Sequence, residues 1–378
     1  SQKGKVPKKL TDKNVSNSPV YLSMSYLRGN PDEKKFVLES KDCVHVKTGD
    51  ILLLWDGSEA GEFIKGKEGV LSSTMSKLDI DDDLNQSYIW YFLKTFEKIL
   101  KDFTNGMGIP HVDSSILENS KIILPPLSEQ IQISSYLNNK TSLIDKLINN
   151  NKKLIKLLEE KRTVLINKVI TKGLDPNVKM KDSGIEWIGE IPEHWEVKQL
   201  KHIFEIKAGG DLKREYFSKK RTNEHLYPIY TNSTDKNFVY GYTSQKMFEG
   251  NTITVTGRGE VGFAIYREEP YDAIIRLLVL TPYDRNNCKY FVYFINSCLK
   301  FNVNKTAVQQ LSTIQIAPYK VPSPSKEESA QITSYLDKKT SCIDETINKV
   351  KDENKLLREY RASLISNVVT GKIKVNNL

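Results

Sequence analysis

Apolar residues recur at spacings of three, four and seven along two long stretches of the chain. They are Leu137, Ile144, Ile148, Ile155, Leu158, Leu165 and Val169 in the first stretch, and Leu336, Ile343, Ile347, Leu357, Leu364 and Val368 in the second. Such spacing places one apolar stripe along one side of a helix. The pattern predicts two amphipathic helices, over about residues 128–172 and 325–371, each about 60–70 Å long.

The two stretches are copies of each other. Residues 132–171 and 331–370 align at a constant offset of 199 without a gap, and 22 of the 40 positions are identical. A single helix of this length would expose its stripe to water, so we expect the copies to pack together. The segment between them must return the chain, which favours an antiparallel pair. Asn151 and Asn354 interrupt the stripes, either as a polar layer that sets the register or as tolerated surface residues.

Local signals at the ends of the two helices agree with these bounds. Ser325 and Glu328 have the spacing of a capping box. Gly173 and Gly371 follow the last turns, where a left-handed residue often ends a helix.

The segments outside the helices also repeat, although more weakly. A Tyr-x-x-Tyr-Phe motif occurs at 88–92 and 290–294, each within a predicted aromatic helix (about 86–100 and 288–301). A predicted strand precedes a glycine-rich turn at 56–61 and again at 257–262. We therefore predict an α+β chain with two mixed α/β modules of one fold, separated by the antiparallel coiled-coil helices in a pseudo-twofold repeat. Three tryptophans are expected to be core residues: Trp55, Trp187 and Trp195.

Composition and motifs limit the possible functions. The formal net charge is +9 over 378 residues, which favours a polyanion such as nucleic acid as partner. Neither an 18-residue apolar run nor a signal peptide is present, so we expect a cytoplasmic protein without a membrane partner. The Gly-x-Gly-x-x-Gly run at 257–262 leads into a predicted strand instead of the helix that dinucleotide binding needs. No metal-ligand or catalytic spacing occurs, so we expect no metal site and no catalysis by this chain.

Several motifs resemble the specificity subunit of type I restriction–modification systems. They are LPPLSEQ at 124–130, the pairs Ile144-Asp145 and Lys161-Arg162, and DSGIEWIGEIPEHW at 182–195. The resemblance covers essentially the whole chain. It implies target recognition domains at 1–122 and 174–321, conserved spacer helices at 123–173 and 322–373, and a tail at 374–378. The counterpart of residues 184–195 would lie before residue 1, so we expect the first domain to lack its start.

The resemblance also implies a function. Each domain would read one half of a split site in double-stranded DNA, and the helices would set the distance between the halves and dock two methyltransferase subunits. Those subunits would carry S-adenosylmethionine and methylate adenine, while this chain would bind no cofactor. Motor–nuclease subunits would join the complex for restriction.

Polar residues in predicted turns are the candidates for DNA contact, because Arg, Lys, Asn, Gln and Ser/Thr supply most phosphate and base-edge contacts. The first module offers Lys3, Lys5, Lys8, Lys9, Arg28, Ser58, Ser73, Thr74, Asn105 and His111. The second offers Lys213, Arg214, Asn232, Ser233, Arg258, Arg276, Gln309, Gln310 and Ser312. The paired glutamines suit adenine, and an arginine between glycines can approach guanine closely.

Two other interpretations fit the sequence. A scaffold could dock other chains on its coiled coil without binding DNA, and an enzyme could hold a site within one module. Selection of an enriched split motif from random duplexes would favour DNA recognition, whereas methyl transfer by the isolated chain would favour the enzyme.

Overall fold

The computed structural model describes residues 1–16, 18–105, 108–284, 287–301 and 310–375. The chain forms two compact units, one made of Ser1–Asn151 with Lys351–Leu378 and the other of Lys152–Val350. Each long helix therefore contributes one half to each unit. The sequence-based division into five consecutive segments follows the repeat instead of the packing, and it stays a prediction.

The predicted long helices and aromatic helices are present, with bounds close to those expected. The α-helices of the described chain are α1 (Met24–Leu27), α2 (Gln86–Asp102), α3 (Ser114–Asn119), α4 (Leu127–Lys172), α5 (Cys288–Cys298), α6 (Thr313–Ile316) and α7 (Lys326–Val369). Short 3-10 helices lie at Pro31–Glu33, Leu200–His202 and Arg214–Tyr216. Within the part of the chain that the structure describes, none of these helices is long and apolar enough to cross a membrane.

The first unit contains a four-stranded and a five-stranded sheet, in the orders β1-β9-β6-β7 and β2-β4-β3-β8-β5. Its strands are β1 (Gln2–Lys3), β2 (Leu10–Thr11), β3 (Val20–Leu22), β4 (Lys35–Val37), β5 (His45–Val46), β6 (Ile51–Leu54), β7 (Phe63–Lys65), β8 (Gly69–Leu71) and β9 (Met75–Lys77). Strand β6 is buried throughout and pairs antiparallel with β7 and β9.

The second unit contains two four-stranded sheets and two strand pairs. Its strands are β10 (Met180–Asp182), β11 (Glu190–Pro192), β12 (Glu196–Gln199), β13 (Phe204–Ala208), β14 (Phe217–Ser218), β15 (Tyr227–Tyr230), β16 (Gly241–Thr243), β17 (Thr252–Val255), β18 (Ala264–Arg267), β19 (Asp272–Ala273), β20 (Leu278–Pro282) and β21 (Lys320–Ser323). The sheet orders are β13-β20-β17-β18 and β14-β16-β15-β19, and the pairs are β10-β11 and β12-β21. Like β6, strand β17 is fully buried between two antiparallel neighbours. The glycine turn after β17 leads into β18, which excludes the dinucleotide-binding geometry that the glycine spacing imitates.

Tyrosine hydroxyls join the aromatic helix α2 to both long helices in the first unit. The Tyr88 hydroxyl donates to the carbonyl of Ile123 at 2.7 Å and lies 3.5 Å from that of Val369 near the end of α7. The Tyr91 hydroxyl donates to Oδ1 of Asn138 on α4 at 2.9 Å. Burial raises the pKa of Tyr88 to about 12, so its hydroxyl stays protonated.

The second unit repeats this arrangement with the long helices exchanged. The hydroxyl of Tyr290 on α5 donates to the carbonyl of Ile170 near the end of α4 at 3.0 Å. The Tyr293 hydroxyl donates to Oδ1 of Asp337 on α7 at 2.7 Å and lies 3.4 Å from Oγ1 of Thr340. Burial raises the pKa of Tyr290 well above its usual range. Each module is therefore fixed to the beginning of one long helix and the end of the other.

The halves of the long helices run antiparallel in both units, as predicted. In the first unit, Arg361 pairs with Asp145 at 3.1 Å. In the second, Arg162 pairs with Asp344 at 3.0 Å. These pairs occupy equivalent positions of the two sequence copies, so one ion pair occurs once in each unit. Partly exposed pairs add little stability, and their value here is that they fix the register.

The residues of the predicted apolar stripes lie inside the packed units. Buried members are Leu137, Ile144, Ile148, Val169, Leu336, Ile343, Ile347, Leu364 and Val368, and partly buried members are Ile155, Leu158, Leu165 and Leu357. In the first unit, Leu137 and Leu364 share a cluster with α2, and in the second, Val169 and Leu336 share one with α5. The apolar stripes therefore pack against the modules as well as within the helix pair.

The two stripe asparagines contact each other. Nδ2 of Asn151 donates to Oδ1 of Asn354 at 3.2 Å. Asn354 is buried, and Asn151 is partly buried. Of the two interpretations that the sequence left open, the polar layer is the one observed.

The ends of the long helices have the expected geometry, with one difference. Gly173 and Gly371 adopt φ of 72° and 73°. The Ser325 hydroxyl accepts from the backbone N–H of Glu328 at 3.1 Å, which is half of a capping box. The Glu328 carboxylate instead bonds Nε2 of His194 at 2.8 Å and accepts from Nε1 of Trp195 at 2.9 Å. It therefore ties the start of α7 to the strand-rich part of the second unit.

Only one of the three tryptophans is fully in the core. Trp195 is completely buried, and Trp55 is partly buried. The prediction for Trp187 is wrong, because 52% of this residue is exposed. It lies in the turn between β10 and β11, where its ring rests against Phe294 with 6.1 Å between ring centroids.

We expect Asn354→Ala to lower stability by about 1–3 kcal/mol, because Asn151 would lose its partner inside the helix pair. Replacing both asparagines by leucine should restore or raise the melting temperature, since apolar residues suit these stripe positions. Thermal unfolding followed by circular dichroism measures both effects. Asn150→Ala, at an exposed neighbouring position, is the control and should change little. An unchanged melting temperature for Asn354→Ala would show that the polar layer does not contribute.

Glu328→Ala should lower stability by about 1–3 kcal/mol, because the Trp195 indole N–H would lose its acceptor. Glu328→Gln keeps an acceptor oxygen and should recover part of the loss. The exposed neighbour Glu327 supplies the matched control, Glu327→Ala. Equal melting temperatures for all three variants in the same unfolding assay would contradict this role.

Candidate nucleic-acid interface

Three loops of the second unit meet around the side chain of Asn232. Its Oδ1 accepts from the backbone N–H of Gly257 at 2.7 Å and of Arg258 at 3.2 Å. Its Nδ2 donates to the carbonyl of Ile275 at 2.7 Å. Both ends of the amide are therefore engaged, so Asn232 holds the loops together instead of presenting a free amide to a ligand.

The third of these loops has an unusual backbone. Ile275 and Arg276 have φ of 56° and 60°, a conformation that residues other than glycine seldom adopt. The neighbouring loop fits closely against it, since a Cβ added at Gly257 would lie 2.8 Å from the Arg276 carbonyl oxygen. Glycine at this position is therefore required by a close approach between two backbones.

The two arginines of these loops are Arg258 and Arg276. Arg258 is partly buried, and its Nε has no hydrogen-bond acceptor within the described part of the chain. Gln310 lies opposite Arg258 in an isolated antiparallel bridge. Among the residues that the structure describes, no carboxylate pairs with Arg258 or Arg276. We call Asn232, Gly257, Arg258, Ile275, Arg276 and Gln310 together the arginine tip. It brings four sequence-predicted candidates to one place: Asn232, Arg258, Arg276 and Gln310.

The other candidates of the second module differ in whether their side chains already have hydrogen-bond partners. The Ser312 hydroxyl belongs to the capping box that begins α6, and the Ser233 hydroxyl accepts from the backbone N–H of Asp235 at 3.2 Å. Both hydroxyl groups therefore already bond to nearby backbone N–H groups. Lys213 and Arg214 are both exposed, on the segment that follows β13. Gln309 lies outside the described residues.

Three candidates of the first module line one cleft. Arg28, Ser58 and Thr74 lie with Asp56 around a volume of about 440 Å³. Arg28 forms an ion pair with Glu62, which neutralises its charge. The cleft therefore combines hydroxyl groups with charges that are already balanced.

Asp56 organises two further candidates of the first module. Its carboxylate pairs with Nζ of Lys3 at 3.0 Å and with Nδ1 of His111 at 2.6 Å. Burial alone would raise the pKa of Asp56, but the hydrogen bonds from His111 and Lys3 outweigh it and hold the pKa below its ordinary value. The carboxylate thus stays charged at neutral pH and fixes both basic groups.

Local partners also engage two of the five remaining first-module candidates. Lys9 lies 3.7 Å from a Glu39 oxygen, and Nδ2 of Asn105 donates to Asp113 at 3.1 Å. Three residues complete the set, on the surface or partly buried: Lys5, Lys8 and Ser73. The candidate cations of the first module are more often paired with acids than the arginines of the tip.

Two features of the second unit were not predicted. Ile275 sits in the run Ala-Ile-Ile-Arg-Leu-Leu at 273–278, which resembles a buried strand in sequence, and no local signal marks its outward turn. Arg267 is buried at the end of β18, with its guanidinium 3.5 Å from the centroid of the Tyr230 ring. A charged residue in a strand pattern could have drawn attention to Arg267, but its aromatic partner is distant in sequence.

Comparison with known proteins identifies a family that has this architecture. The family model described as type I restriction modification DNA specificity domain matches residues 1–160 and again 192–356. The two matches follow the two halves of the internal repeat and together cover most of the chain.

Curated relatives give the same result. The chain is 32% identical over 401 residues to the type I restriction enzyme MjaVIII specificity subunit of Methanocaldococcus jannaschii, covering 100% of this chain and 91% of that protein. It is 25% identical over 354 residues to the putative type I restriction enzyme MjaX specificity subunit of the same organism, covering 86% and 79%.

Solved structures share the fold at low sequence identity. A chain from a study of complex assembly and conformational transition of the type I R-M system aligns with a TM-score of 0.75 at 15% identity, covering 94% of this chain and 92% of that one. The HsdS subunit from Thermoanaerobacter tengcongensis aligns with a TM-score of 0.53 at 14% identity, covering 95% and 92%. The predicted fold class is thereby confirmed, and the chain belongs to the family of type I restriction–modification specificity subunits, the non-catalytic components through which these systems recognise DNA sequence.

Proposed function

We propose that this chain reads a bipartite DNA target, one half with each module, and directs adenine methylation by partner methyltransferase subunits. The observation that carries the proposal is the repeated attachment of a module to the long helices. The hydroxyls of Tyr88 and Tyr91 contact in one unit the helix positions equivalent to those that Tyr290 and Tyr293 contact in the other. Two modules that are attached in the same way but carry different loops suit a target with two different half-sites.

The charge distribution of the second unit supports contact with DNA. Arg258 and Arg276 have no acidic partner among the described residues, and guanidinium groups are the commonest reading groups for guanine and contact phosphates as well. Exposed basic residues on the preceding segment, Lys213 and Arg214, would add backbone contacts that give affinity and register.

Under this proposal the chemistry belongs to other polypeptides. Two methyltransferase subunits would hold S-adenosylmethionine and transfer its methyl group, and motor–nuclease subunits would join for restriction. This chain would supply sequence recognition and a docking surface on its long helices. The expectation that helix length sets the distance between the half-sites stays a prediction.

Selection from a random duplex pool tests the proposal. The purified chain, combined with its methyltransferase subunit, should enrich one split motif with a fixed spacer. Recovery of no motif would favour a protein-docking scaffold instead. Methyl transfer to DNA by the chain without its partner would favour an enzyme.

Arg258→Ala should weaken binding to the selected DNA by about 1–3 kcal/mol, while binding to unrelated DNA changes little. The reason is that a base contact is lost in the cognate complex alone. Titration with labelled duplexes at a fixed salt concentration measures both affinities. Arg221→Ala, at an exposed position of the same module, is the matched control. Equal losses on both DNAs would identify Arg258 as a phosphate contact.

A further inference from the structure

The loop at Ile275 turns one residue of an apolar run outward. Ile274 and Leu277 are each only 1% exposed, whereas Ile275 is 44% exposed. A β-branched side chain in the left-handed region is rare because Cβ and the side chain crowd the backbone. Arg276 continues in the same region, so two successive residues adopt an unfavourable conformation.

Neighbouring loops hold this conformation in place. The Ile275 N–H donates to the carbonyl of Gly210 at 3.0 Å, and its own carbonyl accepts from Nδ2 of Asn232 at 2.7 Å. Leu277 N–H donates back to the carbonyl of Ile274 at 3.2 Å. With both polar groups of Ile275 bonded, the loop cannot relax into an ordinary turn without breaking contacts to two other loops.

Packing does not explain why the loop adopts this conformation. The outward turn leaves 44% of Ile275 exposed, so this residue contributes less to the core than the buried Ile274 and Leu277 on either side. Backbone strain that the surrounding structure maintains is found more often at ligand-binding positions than elsewhere. An exposed apolar residue beside two arginines that have no acidic partner among the described residues therefore points to a ligand that has both apolar faces and negative charge.

Duplex DNA has this combination. Base pairs offer apolar surfaces, in the thymine methyl group and in the faces of partly unstacked bases, next to an anionic backbone. An acidic protein surface would satisfy the arginines but would gain less from a single projecting isoleucine.

We propose, on the basis of the DNA recognition proposed above, that Ile275 and Arg276 are specificity-determining residues of the second module. Ile275 makes an apolar contact with a base of the half-site, and Arg276 contacts the adjacent base edge. Asn232 and Gly257 are positioning residues that fix the pair in its left-handed conformation.

The central test uses Ile275→Gly, which removes the side chain and also relieves the strain. We expect a melting temperature equal to or above that of the wild type, with an affinity for the selected site that falls about tenfold, as loss of a base contact requires. Binding to unrelated DNA should stay the same. Leu226→Ala, which shortens another exposed apolar residue of the module, is the control and should leave both affinities unchanged.

A second variant tests positioning without removing a polar or apolar contact group. In Gly257→Ala, the new Cβ would press on the Arg276 carbonyl oxygen and displace the pair. The ratio of cognate to unrelated affinity should fall, while the salt dependence of binding, which reports phosphate contacts, should remain that of the wild type.

The outcomes separate this inference from the broader proposal. If the wild-type chain selects no DNA site, both are overturned. If it selects a site and Ile275→Gly binds that site with full affinity and unchanged base preference, only the inference fails. A fall in both the melting temperature and the DNA affinity of Ile275→Gly would assign Ile275 a packing role and also overturn the inference. So would intact DNA binding with weakened assembly onto the methyltransferase subunit, which would mark a protein contact.

Discussion

The apolar stripe of each long helix is the constraint on which the rest of the fold depends. A helix of more than 40 residues cannot leave such a stripe in water, and here each stripe is buried in two places. One half packs in the first unit and the other half in the second, each time with an antiparallel partner and an aromatic helix. Because the modules share these clusters with the helices, a module and its helix segments have one common hydrophobic core and are not separate domains.

Polar groups decide how the stripes are aligned. Apolar contacts tolerate sliding by a heptad, whereas the ion pairs of Asp145 with Arg361 and Arg162 with Asp344 do not. The tyrosine hydroxyls of α2 and α5 add fixed points, since each must bond a particular acceptor while its ring is buried. The same interactions occur at equivalent positions of both copies, and this repetition is the physical counterpart of the identical residues in the repeat.

The loops of the two modules differ in their side chains and contacts. In the first module, Asp56 pairs with both Lys3 and His111. In the second, the Asn232 amide joins three loops. Arg258 and Arg276 have no acidic partner in the part of the chain that the structure describes. A frame that stays the same while its loops change is what is expected of modules that serve different ligands, because loop residues contribute little to the core and can vary without unfolding it.

The sequence by itself determined the long helices, their antiparallel pairing, the two modules and the family, because periodicity and repetition are written locally along the chain. It also identified four residues of the arginine tip as candidates for DNA contact, because they are polar residues in predicted turns. It misplaced Trp187 and gave no sign of Ile275, since the burial of an apolar residue depends on which distant segment covers it. The tertiary structure alone decided that Asn232 holds loops together, that Glu328 bonds Trp195 instead of completing its capping box, and that one isoleucine turns outward. Each of these depends on hydrogen bonds between segments far apart in sequence, which no local pattern records.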